Sequence, residues 1–270
     1  NFEGSVIIAG NINEGMKVIA SGDITVGGFV ESAIVQAGGD VTIKQGIIGK
    51  QFDPEAETTA EHKMSALISA GGNIFAKYAQ YAELNATDVI IENQMMHCLL
   101  NLSGNVWVGR QDKANGKLIG GYINGGEGVY AGSIGAPAGS ITTIKFESKL
   151  TALKQKQSEI NDRIEISKAK TNELQKTINQ IKKLPKSEKT KELLTKATKT
   201  YQHHSAILGD ILVELEQAEE EFVQAQHQLK VEATEKLYHG VEVFIGDFYE
   251  RSRREYGPSR LIYDKRKVII

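Results

Sequence analysis

The stretches FESKLTALKQKQSEINDRIEISKAKTNELQKTINQI (residues 146–181) and LTKATKTYQHHSAILGDILVELEQAEEEFVQAQHQL (residues 194–229) carry one spacing read in opposite directions. In the first, seam positions recur at intervals of three and four: Phe146, Leu150, Leu153, Gln157, Ile160, Ile164, Ser167, Thr171, Leu174, Ile178 and Ile181. In the second they are Leu194, Ala197, Tyr201, His204, Leu208, Ile211, Leu215, Ala218, Phe222, Ala225 and Leu229. A repeat of this kind is the seam of a coiled coil. Folding the chain at Pro185 pairs Ile181 with Leu194, Ile178 with Ala197, Ile164 with Ile211 and Phe146 with Leu229, each pair of numbers adding to the same total. Mirror register within one chain predicts a long antiparallel coiled-coil hairpin. Pro185 would break a continuous helix and so supports the turn. Each arm of roughly 40 residues would extend about 60 Å. Polar seam positions fix register at some cost in stability, and the pairing sets Thr171 opposite His204.

The flanking sequence is of another kind. Of 27 glycines, 23 precede residue 147 and Gly209 alone falls inside the hairpin. Glycine weakens a helix by about 1 kcal/mol relative to alanine, so the two regions have different folds. From residue 1 to about 145 a turn pair followed by alternating apolar residues recurs. The copies include Gly22-Asp23-Ile24-Thr25-Val26, Gly39-Asp40-Val41-Thr42-Ile43 and Gly104-Asn105-Val106-Trp107-Val108. The Asx positions are Asn11, Asp23, Asp40, Asn73, Asp88 and Asn105, separated by 12, 17, 33, 15 and 17 residues. The 33-residue interval holds a polar, proline-bearing insertion, residues 51–66, read as a surface loop. A period near 17 signals stacked coils, with alternate side chains pointing inward. Gly240–Gly246, Leu261–Tyr263 and Val268–Ile270 resume the idiom. The predicted fold is mainly β: a right-handed parallel β-helix over 1–145, a coiled-coil hairpin inserted over 146–235, and returning rungs or a cap over 236–270.

Composition narrows the function classes. The formal net charge is −2, which gives no electrostatic case for nucleic acid. No apolar run approaches the roughly 18 residues needed to span a bilayer. The lone Cys98 makes an internal disulfide impossible and fits a reducing compartment. The chain opens within a repeat-like stretch and is read as an excised fragment. No histidine pair has zinc-ligand spacing. His203-His204 is read as a seam residue beside a solvent-facing neighbour. Asp23, Asp40 and Asp88 recur at one rung position and would stack acids as a calcium site does. Asparagine stands at the same position in other rungs, so a turn role explains the column better. The GxG patterns of 116–140 lie among β repeats and not at a strand-to-helix turn, so they are read as turns and not as a phosphate loop. No carboxylate pair stands out as an acid–base couple. The sequence thus points to no enzyme, no cofactor and no metal.

Val35-Gln36-Ala37-Gly38-Gly39-Asp40-Val41, Ile68-Ser69-Ala70-Gly71-Gly72-Asn73-Ile74 and the Gly121–Gly132 stretch, then the coiled-coil insertion, then Gly240-Val241-Glu242-Val243, resemble the C-terminal region of the flagellar assembly protein A family. Its β-helix is also similar to the bactofilin wall. The resemblance implies a non-enzymatic, cytoplasmic bacterial protein needed for flagellation and recruited to the cell pole. It implies two protein partners, the unphosphorylated glucose-specific IIA component of the sugar phosphotransferase system and a polar landmark protein. It brings no catalytic motif and no residue signature for the partner site. Charge therefore chooses the candidates: Lys182, Lys183, Leu184 and Lys186 at the hairpin tip, and Arg251, Arg253 and Arg254 in the tail. Two alternatives stand beside this reading. One is a bactofilin-like, polymer-forming scaffold that self-associates; the other is a β-helix carbohydrate-active enzyme, which requires a groove with clustered carboxylates.

Overall fold

The chain winds as a coil whose successive strands alternate between two sheets. The computed structural model describes residues 1–51, 64–110, 113–146, 148–264 and 267–269. In the first sheet Val6–Ile8, Ile24–Val26, Val41–Ile48, Ile74–Gln80, Val89–Met96, Asn105–Val108 and Gly128–Ile134 stack in parallel. In the second, Lys17–Ala20, Ile34–Ala37, Ala66–Ala70, Ala82–Ala86, Leu99–Leu102, Gly121–Gly125 and Thr142–Phe146 do the same. Parallel neighbours from adjacent turns, joined in register, make a β-solenoid.

Alternation supplies the core. Register aligns Ile24, Val41, Ile74, Val89, Val106 and Val129, all buried, down the inside of the first sheet. Val35, Ile68, Leu84, Leu100, Ile123 and Ile144 form the facing column in the second sheet. The longer strands turn a corner midway, where register shifts between Ile43 and Gly46 and between Ile91 and Gln94. Beyond it Ile47, Ala79, Met95, Leu118 and Ile134 make a third buried column. Leaving this third side the chain turns through left-handed backbone at Ser32, Tyr81, His97 and Gly120, and the Tyr81 and His97 rings stack at 5.2 Å.

The Asx column is a ladder of caps. Asp23 Oδ1 accepts the Asp40 N–H at 2.8 Å, Asp40 Oδ1 accepts that of Asn73 at 2.7 Å, and Asn73 Oδ1 that of Asp88 at 3.2 Å. Asp88 Oδ1 in turn takes the Asn105 N–H. Glycine precedes three of the four capped residues, Asp40, Asn73 and Asn105, and the ladder dictates it; Thr87 precedes Asp88. A Cβ at Gly39 would lie 2.0 Å from Asp23 Oδ1, and one at Gly72 would lie 2.1 Å from Asp40 Oδ1.

Asn11, expected at the head of this column, stands elsewhere. Val6 pairs with Ile24, so the residue above Asp23 is Ser5, whose Oγ accepts the Asp23 N–H at 3.0 Å. Asn11 caps Phe29 at the next corner by the same chemistry, with Gly28 as the glycine beneath it. The outlying 12-residue interval was a step between two corners of one turn.

The helical segment comprises α1 (Ser148–Ile181) and α2 (Glu188–Gln228). Contact clustering separates Leu150–Ala225 from a unit formed by Asn1–Lys149 and Gln226–Ile270. Residues 182–187 join the helices, and Ser187 Oγ caps α2 by accepting the Thr190 N–H at 3.2 Å. Every expected seam position inside the two helices is buried or only partly exposed. Ile160, Ile164, Ile211 and Ala218 are buried together, with Ile207, Leu208 and Leu215 packed on them. Polar contacts flank this cluster: Lys156 meets Glu221 at 2.7 Å, Arg163 meets Glu214 at 2.9 Å, and Gln157 Nε2 donates to the Ala218 carbonyl at 3.1 Å. Partner numbers fall along α2 as they rise along α1.

The ends of the segment differ from the sequence reading. Phe146 is a strand residue, paired with Ile245 and buried as a rung side chain. Residues 230–235, assigned to the hairpin, begin the strand Lys230–Leu237, which pairs in parallel with Gly128–Ile134. The switch in period decides this: Val231 and Ala233 are buried while Lys230 and Glu232 are less so, an alternation of two. Val241–Ile245 then continues the second sheet in parallel on Thr142–Phe146. The remaining strands reverse. Phe248–Arg251 pairs antiparallel with Val241–Ile245, and Ser259–Asp264 antiparallel with Lys230–Leu237. Lys267–Ile269 completes this closing layer. Most of the insertion expected at 51–66 lies outside the described residues; its ends, Gln51 and Met64, bridge one another.

Candidate functional site

Residues that alternate with the inward columns point outward, and in the first sheet they share a character. Register aligns Thr25, Thr42, Phe75, Ile90, Trp107 and Tyr130 on successive rungs. All are partly exposed. Four consecutive rungs thus place a large apolar side chain on the outside of the wall, where strand alternation calls for polar ones. Trp107 and Tyr130 stack with ring centroids 5.0 Å apart and a tilt of 35°. The Trp107 indole N–H donates to the Arg110 carbonyl at 2.9 Å. Lys230, one rung further, lies 5.1 Å over the Tyr130 ring.

Grooves run beside this strip. The first, of about 460 Å³, is lined by Thr42, Phe75 and Ile90 with Lys44, Lys77, Glu92 and Arg110. A second is bounded by Ile90, Trp107 and Tyr130, with Asp88 and Asn105 along one edge. A third lies between Trp107, Tyr130, Lys113, Lys230 and Glu232. Lys44, Lys77, Arg110 and Lys113 have no ion pair among the described residues, whereas Glu232 is held by Arg260 at 3.0 Å. The strip therefore combines an apolar floor with an excess of free cations.

The sequence-chosen contacts fall on the two units. Lys182, Lys183, Leu184 and Lys186 occupy the exposed turn between α1 and α2; Leu184 is 53 % exposed. Arg251, Arg253 and Arg254 lie in the closing layer and are exposed. Arg251 is engaged by Glu242 at 3.6 Å, and Arg254 lies 5.1 Å over the Tyr256 ring. Arg253 has no ion pair among the described residues. The outward aromatic strip escaped the sequence reading. Phe75 and Trp107 stand 32 positions apart, and only register across the intervening rung makes them near neighbours.

Other polar side chains serve the wall. Asn101 donates to Asn85 at 3.0 Å and Asn124 to Asn101 at 3.2 Å, a ladder on the second sheet. Cys98 is buried; burial pushes its thiol up to about 12 and its Sγ–H donates to the Met96 carbonyl at 3.4 Å. Lys236 is raised by its hydrogen bond to Glu255, the two held at 2.7 Å. Among the described residues no group of three or more His, Cys, Asp or Glu side chains is placed to hold a metal ion. No described helix is long and apolar enough to cross a membrane.

The chain is thus a β-solenoid with a helical insertion, with charged and apolar side chains along its outer wall. The profile of the Flagellar Assembly Protein A beta solenoid domain matches residues 1–268, and the chain belongs to that family. Comparison with curated proteins and with solved structures returned no match.

Proposed function

We propose that this chain is a non-enzymatic scaffold in flagellar assembly that acts by binding other proteins. The observation that carries this reading is the family match over residues 1–268. In this reading α1 and α2 form one antiparallel coiled-coil arm carried by a right-handed β-helix. The seam burial and the Lys156–Glu221 and Arg163–Glu214 contacts support the arm. The protein works in the cytoplasm at the cell pole, held by a polar landmark protein. It is controlled by the unphosphorylated glucose-specific IIA component of the sugar phosphotransferase system. Lys182, Lys183, Leu184 and Lys186, with Arg251, Arg253 and Arg254, are its proposed contacts, because they offer exposed charge at a turn and in the closing layer.

Titration calorimetry with the two forms of the IIA protein tests this. Binding of the dephosphorylated form, weakened for the phosphorylated form and for K182E/K183E/K186E, is expected. Equal affinity for both forms would overturn the regulatory part. A second reading, a polymer-forming scaffold, draws on the stacked rungs. The antiparallel closing layer speaks against simple continuation of the coil at that end. Concentration-dependent fibres in electron microscopy would favour the polymer; a fixed small assembly in light scattering would oppose it.

A further inference from the structure

The outward strip of the first sheet is no part of the buried columns. Its side chains leave the core, its rungs are already joined by backbone, and the Asx ladder adds bonds as far as the Asn105 rung. We propose that the Phe75–Ile90–Trp107–Tyr130 strip is a docking groove for an extended, acidic protein segment with aliphatic side chains between its carboxylates. The reading goes beyond the flagellar role and does not depend on the identity of any flagellar partner.

Two observations choose this occupant. The first is what already occupies the rings. Tyr130 has Trp107 against one side, and Lys230 lies over its ring. Trp107 stands by register between Ile90 and Tyr130. The two rings are thus occupied with one another and with Lys230. Nucleobases bind such strips by stacking on open faces, and sugar rings need the same faces. An aliphatic side chain needs no open aromatic face and packs on the floor made by Phe75 and Ile90. The second observation is charge. Lys44, Lys77 and Arg110 line the groove at Phe75 and Ile90 without an ion pair among the described residues. Among the described residues Glu92 is the one acid of that groove. Asp88, on the facing edge, spends Oδ1 on the Asn105 N–H. Complementary charge beside an apolar floor orients and selects a partner.

Trp107 is the chain's single tryptophan, so its emission reports the groove directly. The whole chain is titrated with a decapeptide alternating Glu and Leu, with its Lys and Leu counterpart, with oligothymidylate and with heparin. A saturable change in Trp107 emission is expected with the Glu-Leu peptide alone. K44E/K77E/R110E should weaken it about tenfold, and added salt should shrink that difference. The milder pair K44A/K77A should shift it in the same direction, and unchanged circular dichroism separates lost binding from lost folding. Absence of a saturable change with the Glu-Leu peptide would overturn the proposal. So would an affinity indifferent to all of these substitutions, or tighter binding of oligothymidylate or heparin.

Discussion

The solenoid and the helical segment are held together at different levels of structure. In the solenoid, neighbouring turns share backbone hydrogen bonds along whole strands, and the Asx ladder adds a bond between successive turns from Asp23 to Asn105. Side chains then fill an interior whose columns are fixed by that backbone. Between α1 and α2, cohesion comes from side chains: one apolar cluster, the Gln157 bond and two exposed ion pairs. Exposed pairs contribute about 0–1 kcal/mol each, so the seam must carry most of the stability. A rung cannot shift without breaking its ladder, whereas a pair of helices can adjust by repacking.

This difference predicts a ranking. The largest effect should follow Ile91→Ala. Ile91 is fully buried and flanked by register neighbours Ala76 and Val108. The fixed backbone cannot collapse into the space, so the cost should be about 4 kcal/mol. Thermal unfolding of the β signal should drop sharply while the helical signal moves less. Leu215→Ala should cost about 2 kcal/mol, the low end for such a truncation. Leu215 packs against the Ile160 cluster but remains partly exposed, and the helices can close around the loss. A cost for Leu215→Ala equal to that of Ile91→Ala would erase the contrast between the two units.

A smaller effect addresses the ladder. Asp40→Ala removes the acceptor of the Asn73 N–H and should cost about 1–2 kcal/mol. Asp40→Asn keeps Oδ1 and should cost much less. If the two variants were equally destabilised, charge and not capping would be the role of the column. Chemical denaturation of the two variants beside the parent chain measures both.

What the sequence disclosed follows the same division. The helices and their less exposed positions were legible because helical spacing is a local signal. The glycine–Asx turns were legible too, for the same reason. Gly10-Asn11-Ile12 nevertheless belongs to a different column. The two corners of a turn use one local chemistry, and only pairing distinguishes Ser5 from Asn11. At residue 229 the periods overlap: Leu229 continues the heptad while Val231 and Ala233 begin an alternation. The strip of Phe75, Ile90, Trp107 and Tyr130 was hidden entirely, since each member looks like an isolated outward residue until register joins them.

The smallest predicted effect lies in the seam and depends on pH. His204 occupies a seam position, and its pKa is lowered first by burial, then by Lys170 and by His203. The folded helices therefore resist a proton that the unfolded chain accepts near the usual value of 6.5. Above that pH both states hold a neutral imidazole and the effect is nil. As pH falls through 6.5 the unfolded state gains the proton first, so stability falls, and the loss is complete below the folded pKa. The helical signal should therefore unfold more easily at pH 5 than at pH 7.5, and His204→Leu should reduce that difference. Lys170→Gln, by removing a repelling charge, should reduce it as well, though less, because burial is the larger cause. A pH dependence untouched by His204→Leu would assign it to another group and remove the polar seam position from the account of how the two helices are held.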